Sequence, residues 1–451
     1  MQNLLKETAE RAIAYLETIN TRSVRPTPDA VARLALFNEP LPTGTGSPEE
    51  TLAFLDAIGS PATMGIAGRR FFGFVIGGSL PVTVAANWLA TAWDQNAGLY
   101  NITPGAAHLE QVALGWLVDL LQLPAGSAGA FVTGATVANF TSLAAARHAV
   151  LAKARWNVEA HGLFSAPEIT VVIGEEAHPT LIKSLGLLGL GRTRVTRIPV
   201  DNQGRIRADK LPRLSGPTIV CTQAGNVNTG AVDPIREIAA HAHQNGAWVH
   251  ADGAFGLWAA VAPSRRHLVE GIADADSWAT DAHKWLNVPY DCGLAFVRDP
   301  DALKAAMAIT AEYLPTESEH RNPSDFTPEL SRRARGVEVW AALRTLGKGG
   351  VEDLIERTCR HARRFAEGLT AAGYTVLNDV VLNQVLVSFG DAETTNKIIA
   401  EIQSEGTCWC GGTVWQGKAA MRISVSSWAT TEEDVEMSLS AMIRVAGNHA
   451  R

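Results

Sequence analysis

The sequence is short of cysteine, of excess charge of either sign and of long apolar runs, and each shortage removes a class of protein. Five cysteines in 451 residues cannot build a disulfide framework, and Cys221, Cys292 and Cys359 stand alone in apolar or helical contexts. A reducing, cytoplasmic setting is expected. The 39 Lys and Arg against 46 Asp and Glu leave a net charge of −7, the wrong sign for neutralising nucleic-acid phosphates. The longest apolar stretch, 80–93, is interrupted by Asn87 and too short to cross a bilayer. The first twenty residues mix acidic and basic groups without the apolar core of a signal peptide. Neither a nucleic acid nor a membrane is therefore expected as a partner. With 46% hydrophobic and 19% charged residues, the composition is that of a globular protein long enough for two or three domains.

Periodicity divides the chain into three parts, 1–78, 79–335 and 336–451. Leu5, Ala9, Ala12, Leu16 and Ile19 recur at helical spacing, a stripe that needs another element or another subunit to cover it. Pro26, Pro28, Pro40, Pro42 and Gly44 make 20–48 read as an extended arm. From about residue 105, short Val- and Ile-rich runs (131–133, 169–174, 194–200, 218–222, 248–252, 277–280, 293–297) alternate with amphipathic helices. That alternation predicts a doubly wound α/β domain on a buried, mostly parallel or mixed sheet. A long helix over 330–346, ending at Gly347, precedes a second alternation that predicts a smaller α+β domain. The polar, proline-containing segment 311–329 reads as a long loop.

Several motifs fail on inspection. Gly412 to Lys418 imitates a phosphate loop, but Ala419 stands where a Mg²⁺-binding hydroxyl is required. Gly189 and Gly191 begin a dinucleotide fingerprint whose third glycine is missing. Cys408 with Cys410, and His241 with His243, lack a second pair to complete a metal shell, so no metal is expected.

Four strand ends carry chemistry together. Lys284 follows an apolar strand, where lost hydration lowers an amine's pKa and frees it to form a Schiff base; taken alone, it reads rather as a lysine snorkelling from the surface. Asp252 ends the strand WVHAD; it could cap a helix or bind a metal, but beside such a lysine it suits the pyridinium nitrogen of pyridoxal phosphate. Gly134, Ala135 and Thr136 join a strand to a helix, either an ordinary turn or a phosphate cradle at a helix N-terminus. His178 follows another apolar strand, where an imidazole can stack on a flat ring or simply start a helix.

In these residues the chain resembles the group II pyridoxal-phosphate-dependent amino-acid decarboxylases, the family of the aromatic-L-amino-acid and glutamate enzymes. Thr280 to Leu286 followed by Pro289 to Gly293, and the element Ser331-Arg332-Arg333-Ala334-Arg335, carry the likeness. The resemblance implies the aspartate-aminotransferase-like type I fold of pyridoxal-phosphate enzymes, and a homodimer with active sites at the subunit interface. It implies that Lys284 bears the cofactor and that Asp252 pairs with its ring nitrogen. Ala254 and His178 would flank the ring, Gly134, Ala135, Thr136 and His283 would hold the phosphate, and Asn226 would contact the cofactor. Tyr313, in the long loop, matches the tyrosine that reprotonates the substrate carbon, a role His178 can share. Arg422 matches an arginine that receives a substrate carboxylate. Asn96 and Phe74 are expected at the substrate pocket, with Gln95 and Gly98 leaving it roomy and polar. The implied reaction is decarboxylation of an L-amino acid, aromatic first and acidic second.

Overall fold

The computed structural model describes residues 1–309 and 320–449. The chain forms two compact units, one of Met1–Gly78, Arg360–Leu377 and Val385–Arg451, the other of Ser79–Cys359 and Asn378–Gln384. The first 78 residues thus group with the C-terminal segment, and residues 336–359 with the larger unit.

The larger unit is built on seven strands: β1 (Ala128–Val132), β2 (Thr170–Gly174), β3 (Thr196–Ile198), β4 (Thr218–Gln223), β5 (Trp248–Asp252), β6 (Ser277–Asp281) and β7 (Gly293–Val297). Their order across the sheet is β1-β7-β6-β5-β4-β2-β3. Strands β2 to β6 pair in parallel, whereas β7 runs antiparallel to both β6 and β1. Two reversals restore direction, so β1 points the same way as β6, β5, β4 and β2, and their C-terminal ends share one edge. Open α/β sheets bind ligands at such an edge.

Every residue of β4, β5, β6 and β7 is buried, as a sheet covered on both faces requires. The helix Ala135–Lys153 lies across the sheet. Ala138 on that helix meets Ala130, Ala279 and Ala295 of β1, β6 and β7 in one buried cluster, and side chains this small let the helix backbone approach the strands closely.

In the smaller unit, β8 (Thr375–Val376), β9 (Gln384–Ser388), β10 (Gly411–Trp415) and β11 (Lys418–Ser424) form a sheet in the order β10-β11-β9-β8. Segment 70–72 joins it through Phe72 N–H on Trp409 O at 2.8 Å and Ser424 N–H on Phe72 O at 2.9 Å.

Two expectations need correction. The arm contains a helical turn, Pro28–Ala32, whose first turn Thr27 caps through the Ala30 N–H at 3.2 Å, followed by a 3₁₀ turn over Arg33–Phe37. The long helix starts at Gly336 rather than at 330; it ends as expected at Gly347, whose non-helical backbone separates it from the helical stretch that runs on to Ala371. Residues 330–335 stay out of it because their backbone bonds sideways: Arg332 N–H donates to Asn96 Oδ1 at 3.0 Å, and Arg332 O accepts from Ala97 N–H at 2.8 Å. The false phosphate loop is the β10–β11 hairpin, turned at Gln416 and Gly417 with φ of 46° and 78°, the conformation a two-residue type I′ turn demands.

Candidate active site

The strand edge collects Lys284, His283, Asp281, Gly134, Asp252 and Ala254. Asp281 ends β6, and its Oδ2 lies 3.0 Å from Lys284 Nζ in an ion pair. The other oxygen, Oδ1, is buried without a hydrogen-bond partner, 3.6 Å from His283 Nε2. Cys292 N–H donates to His283 Nδ1 at 3.0 Å, so the ring proton sits on Nε2. Burial lowers the imidazole's pKa below its ordinary value, partly offset by Asp281. The Tyr290 ring stacks on His283 at 4.2 Å between centroids.

Gly134 begins the helix Ala135–Lys153 with no side chain capping its first turn. A Cβ there would lie 3.2 Å from His283 Cε1 and 3.5 Å from Asp281 Oδ1. Those unclaimed first-turn N–H groups, the Thr136 hydroxyl and His283 Nε2–H make a set of donors suited to a phosphate. Ser184 Oγ donates to Thr136 O at 2.8 Å and ties the turn to the helix Pro179–Leu187, which His178 caps. His178 Nδ1 accepts from Thr180 N–H at 3.3 Å, which puts its proton on Nε2 as well.

Asp252, 5% exposed at the end of β5, accepts from Ala254 N–H at 3.2 Å on Oδ1 and from Asn139 Nδ2 at 3.0 Å on Oδ2. A desolvated carboxylate held by two donors is a natural acceptor for a pyridinium N–H. Ala254 O in turn accepts from Asp281 N–H at 3.0 Å, linking the two carboxylate-bearing strand ends. An uncapped helix start, an unpartnered buried oxygen beside a lysine and a buried anion on one edge fit pyridoxal phosphate.

Other candidates lie elsewhere or are otherwise engaged. Asn226 spends Nδ2 on Glu176 Oε2 at 3.1 Å and Oδ1 on the N–H groups of Asn228 and Thr229, a tight turn. Asn96 bonds Ser331 Oγ and the Arg332 N–H, and any Cβ on Gly98 would strike Leu330 O. That pattern reflects the fit of the 330–332 segment. Arg333 pairs with Glu338 at 2.6 Å and with Asp291 at 3.5 Å. Phe74 and Arg422 belong to the smaller unit. There Phe74 stacks on Trp409 at 5.6 Å, and Arg422 sits on β11 opposite Gly411, its guanidinium pKa pushed down by burial. Tyr313 lies outside the described residues. Sequence reasoning missed Asn139 and His250; the one available signal was that His250 precedes Asp252 by two and so shares its face of the strand.

Among the described residues no cluster of His, Cys, Asp or Glu could hold a metal, and no helix is long and apolar enough to cross a membrane. His241 bonds Pro212 O and His243 bonds Asp276.

Comparison with known proteins places these features. The chain is 27% identical to an aromatic-L-amino-acid decarboxylase of Bacillus atrophaeus, over 97% of this chain and 94% of that protein. It is 25% identical to a phenylacetaldehyde synthase of Arabidopsis thaliana, over 74% and 73%. A crystal structure of Oryza sativa TDC with PLP and tryptamine superposes with a TM-score of 0.91 at 22% identity, covering 100% of this chain and 98% of that one. That likeness establishes the type I fold expected from the sequence. The conserved domain of the pyridoxal-dependent decarboxylases matches residues 66–390, most of the chain. This protein therefore belongs to the pyridoxal-dependent decarboxylase family and is a pyridoxal-phosphate-dependent carboxy-lyase.

Proposed function

We propose that this chain removes the α-carboxylate of an aromatic L-amino acid, giving the corresponding amine and CO₂, and that it works as a homodimer. The observation that carries the reading is the shared strand edge on which Lys284, Asp252 and the uncapped helix at Gly134 converge. Pyridoxal phosphate, when bound, supplies an electron sink for the pair that departing CO₂ leaves on the substrate carbon.

The chain's own residues do the rest. Lys284 Nζ, paired with Asp281, would be the covalent attachment point. Asp252 would accept the ring N–H and so keep that nitrogen protonated. The first-turn N–H groups at 135–137, the Thr136 hydroxyl and His283 Nε2–H would hold the phosphate. His178, with its proton on Nε2, and Ala254 would flank the ring, and Tyr313 or His178 would return a proton to the substrate carbon. The aromatic preference is supported by the name of the Bacillus relative, which aligns over nearly the whole chain. The dimer is supported by the helix Gln2–Thr18, on which Leu5 and Leu16 of the apolar stripe stay exposed while Ile19, just past its end, is buried.

A second reading has its own support in the Arabidopsis relative. An aldehyde synthase would consume O₂ and water and release aldehyde, CO₂, ammonia and hydrogen peroxide. Tyr313 in the sequence favours the simple decarboxylase.

A CO₂-release panel over the twenty amino acids plus diaminobutyrate, with peroxide monitored in parallel, separates the readings. CO₂ from phenylalanine, tyrosine or tryptophan without peroxide is the expected result, and Lys284→Ala should abolish it together with the cofactor's bound absorption band. CO₂ from glutamate or diaminobutyrate alone would overturn the aromatic assignment, and peroxide in step with CO₂ would favour the synthase.

A further inference from the structure

Behind Asp252 runs a line of buried polar side chains joining β5, β6 and the helix Ala135–Lys153. Trp248 Nε1 lies 2.9 Å from Ser277 Oγ, and Ser277 Oγ lies 2.9 Å from His250 Nδ1. His250 Nε2 is 2.8 Å from Asn139 Oδ1, and Asn139 Nδ2 is 3.0 Å from Asp252 Oδ2. Ser277, His250 and Asn139 are fully buried.

The inventory of donors fixes every hydrogen. An indole N–H only donates, so Ser277 accepts there and its own hydrogen turns to His250 Nδ1. A carboxylate only accepts, so Asn139 presents its NH₂ to Asp252 and its carbonyl to His250, which must then carry its proton on Nε2. Reasoned from either end, the line yields the same imidazole tautomer. Burial pushes the His250 pKa down to about 3, so the ring stays in the neutral form that this pattern requires. Four linked polar groups in a dry core cost more than apolar packing of the same volume unless each is satisfied, and here each is.

We propose that His250 is a positioning residue for the cofactor: by holding the Asn139 carbonyl it locks the Asn139 NH₂ onto Asp252, which leaves the carboxylate in one orientation toward the ring nitrogen of pyridoxal phosphate and keeps that nitrogen protonated. This rests on the assignment of Asp252 to the ring nitrogen made above. Without the imidazole N–H, the Asn139 amide is free to turn its oxygen toward Asp252, and the carboxylate loses its donor.

The test uses holoenzyme reconstituted with cofactor labelled with ¹⁵N in the ring, read by NMR, alongside titration of the cofactor-free protein with pyridoxal phosphate. His250→Phe, which keeps an aromatic ring of similar size, should move the ring-nitrogen signal toward the deprotonated form. It should also weaken cofactor binding about tenfold or more, the size of a lost hydrogen bond to a charged group. His250→Gln, whose amide N–H can still reach Asn139, should recover most of both. Asp252→Asn should give the full displacement of the signal. If Asp252→Asn shifts the signal and His250→Phe does not, the His250 proposal fails alone. If Asp252→Asn leaves the signal in place, the Asp252 assignment fails, and with it the reading beneath. Should His250→Phe not fold, Ser277→Ala interrogates the same line by removing the donor to Nδ1, and an unchanged signal there overturns the proposal.

Discussion

Single residues at this centre are held by hydrogens whose directions the surroundings dictate, and that has a measurable cost in acid. His250 is fully buried with its pKa depressed to about 3, against an ordinary value of about 6.5 when unfolded. Between those values the unfolded chain binds the extra proton, so stability rises with pH. The contribution is fully present above about pH 6.5 and is lost as pH falls toward 3, at about 1.4 kcal/mol per unit. Cofactor-free wild type should therefore lose about 2 kcal/mol through this residue between pH 6.5 and pH 5. His250→Phe should lack that loss, so urea unfolding at pH 7.5 and pH 5.0 should show the gap between wild type and variant narrowing in acid. An unchanged gap would mean that the imidazole is not held neutral. Lys284, Asp252, His283 and the 134–136 turn were legible from the sequence because each sits at the end of an apolar strand. The partnership of His250 with Asn139 was not, since 111 residues separate them and only the sheet's crossovers bring them together. Asn226 and Asn96 show what spacing alone does not reveal: both are polar residues beside the motifs, and their amides also make local turn and loop contacts.

Elements meet at this edge at the limit of close packing. β7 begins at Gly293, and a Cβ there would run into the backbone of Gly134, within 2.7 Å of its N and closer to its Cα. Neither side is a flexible side chain, so the turn that presents the first-turn N–H groups must move. Gly293→Ala should cost about 1–3 kcal/mol as overpacking and weaken cofactor binding as well. Gly115→Ala is the control: it lies in the helix Pro104–Leu120 with open space where the Cβ would go, and should be neutral or stabilising by up to about 1 kcal/mol. Parallel titrations of the two variants with pyridoxal phosphate and thermal melts check this, and equal affinities would show that the glycine contact does not set the turn. The central parallel strands could be read from the sequence because burial on both faces favours short, largely apolar runs such as the Val and Ile of β2 and β4. β10 could not, because it opens on two glycines and only its last residue, Trp415, is buried. The false start of the long helix at 330 arises because segment 330–335 satisfies its backbone against 96–97.

At the scale of the whole molecule, apolar side chains stand in water where a lone chain gains nothing by having them. On the helix Gln2–Thr18, Leu5 is 61% exposed and Leu16 40%. On the helix Pro81–Trp93, Trp88, Leu89 and Trp93 are exposed. Burying a Leu, or a side chain of comparable size, is worth about 1.5–3 kcal/mol, so two such stripes represent enough free energy to offset association once a second copy covers them. A net charge of −7 opposes pairing only weakly at physiological salt, because screening acts over about 8 Å and the stripes themselves carry no charge. Light scattering on the purified protein should give twice the 48.1 kDa of one chain at micromolar concentration. Leu89→Glu, and separately Leu5→Glu with Leu16→Glu, should shift the mass toward a single chain with little change in secondary structure, since none of the three side chains is buried within its own chain. If the active centre is completed at the pairing surface, the monomeric variants should also lose CO₂ release while wild type and variants keep the same far-ultraviolet circular dichroism. A wild-type protein that stays at 48.1 kDa through the micromolar range, and turns over there, would sink the dimer.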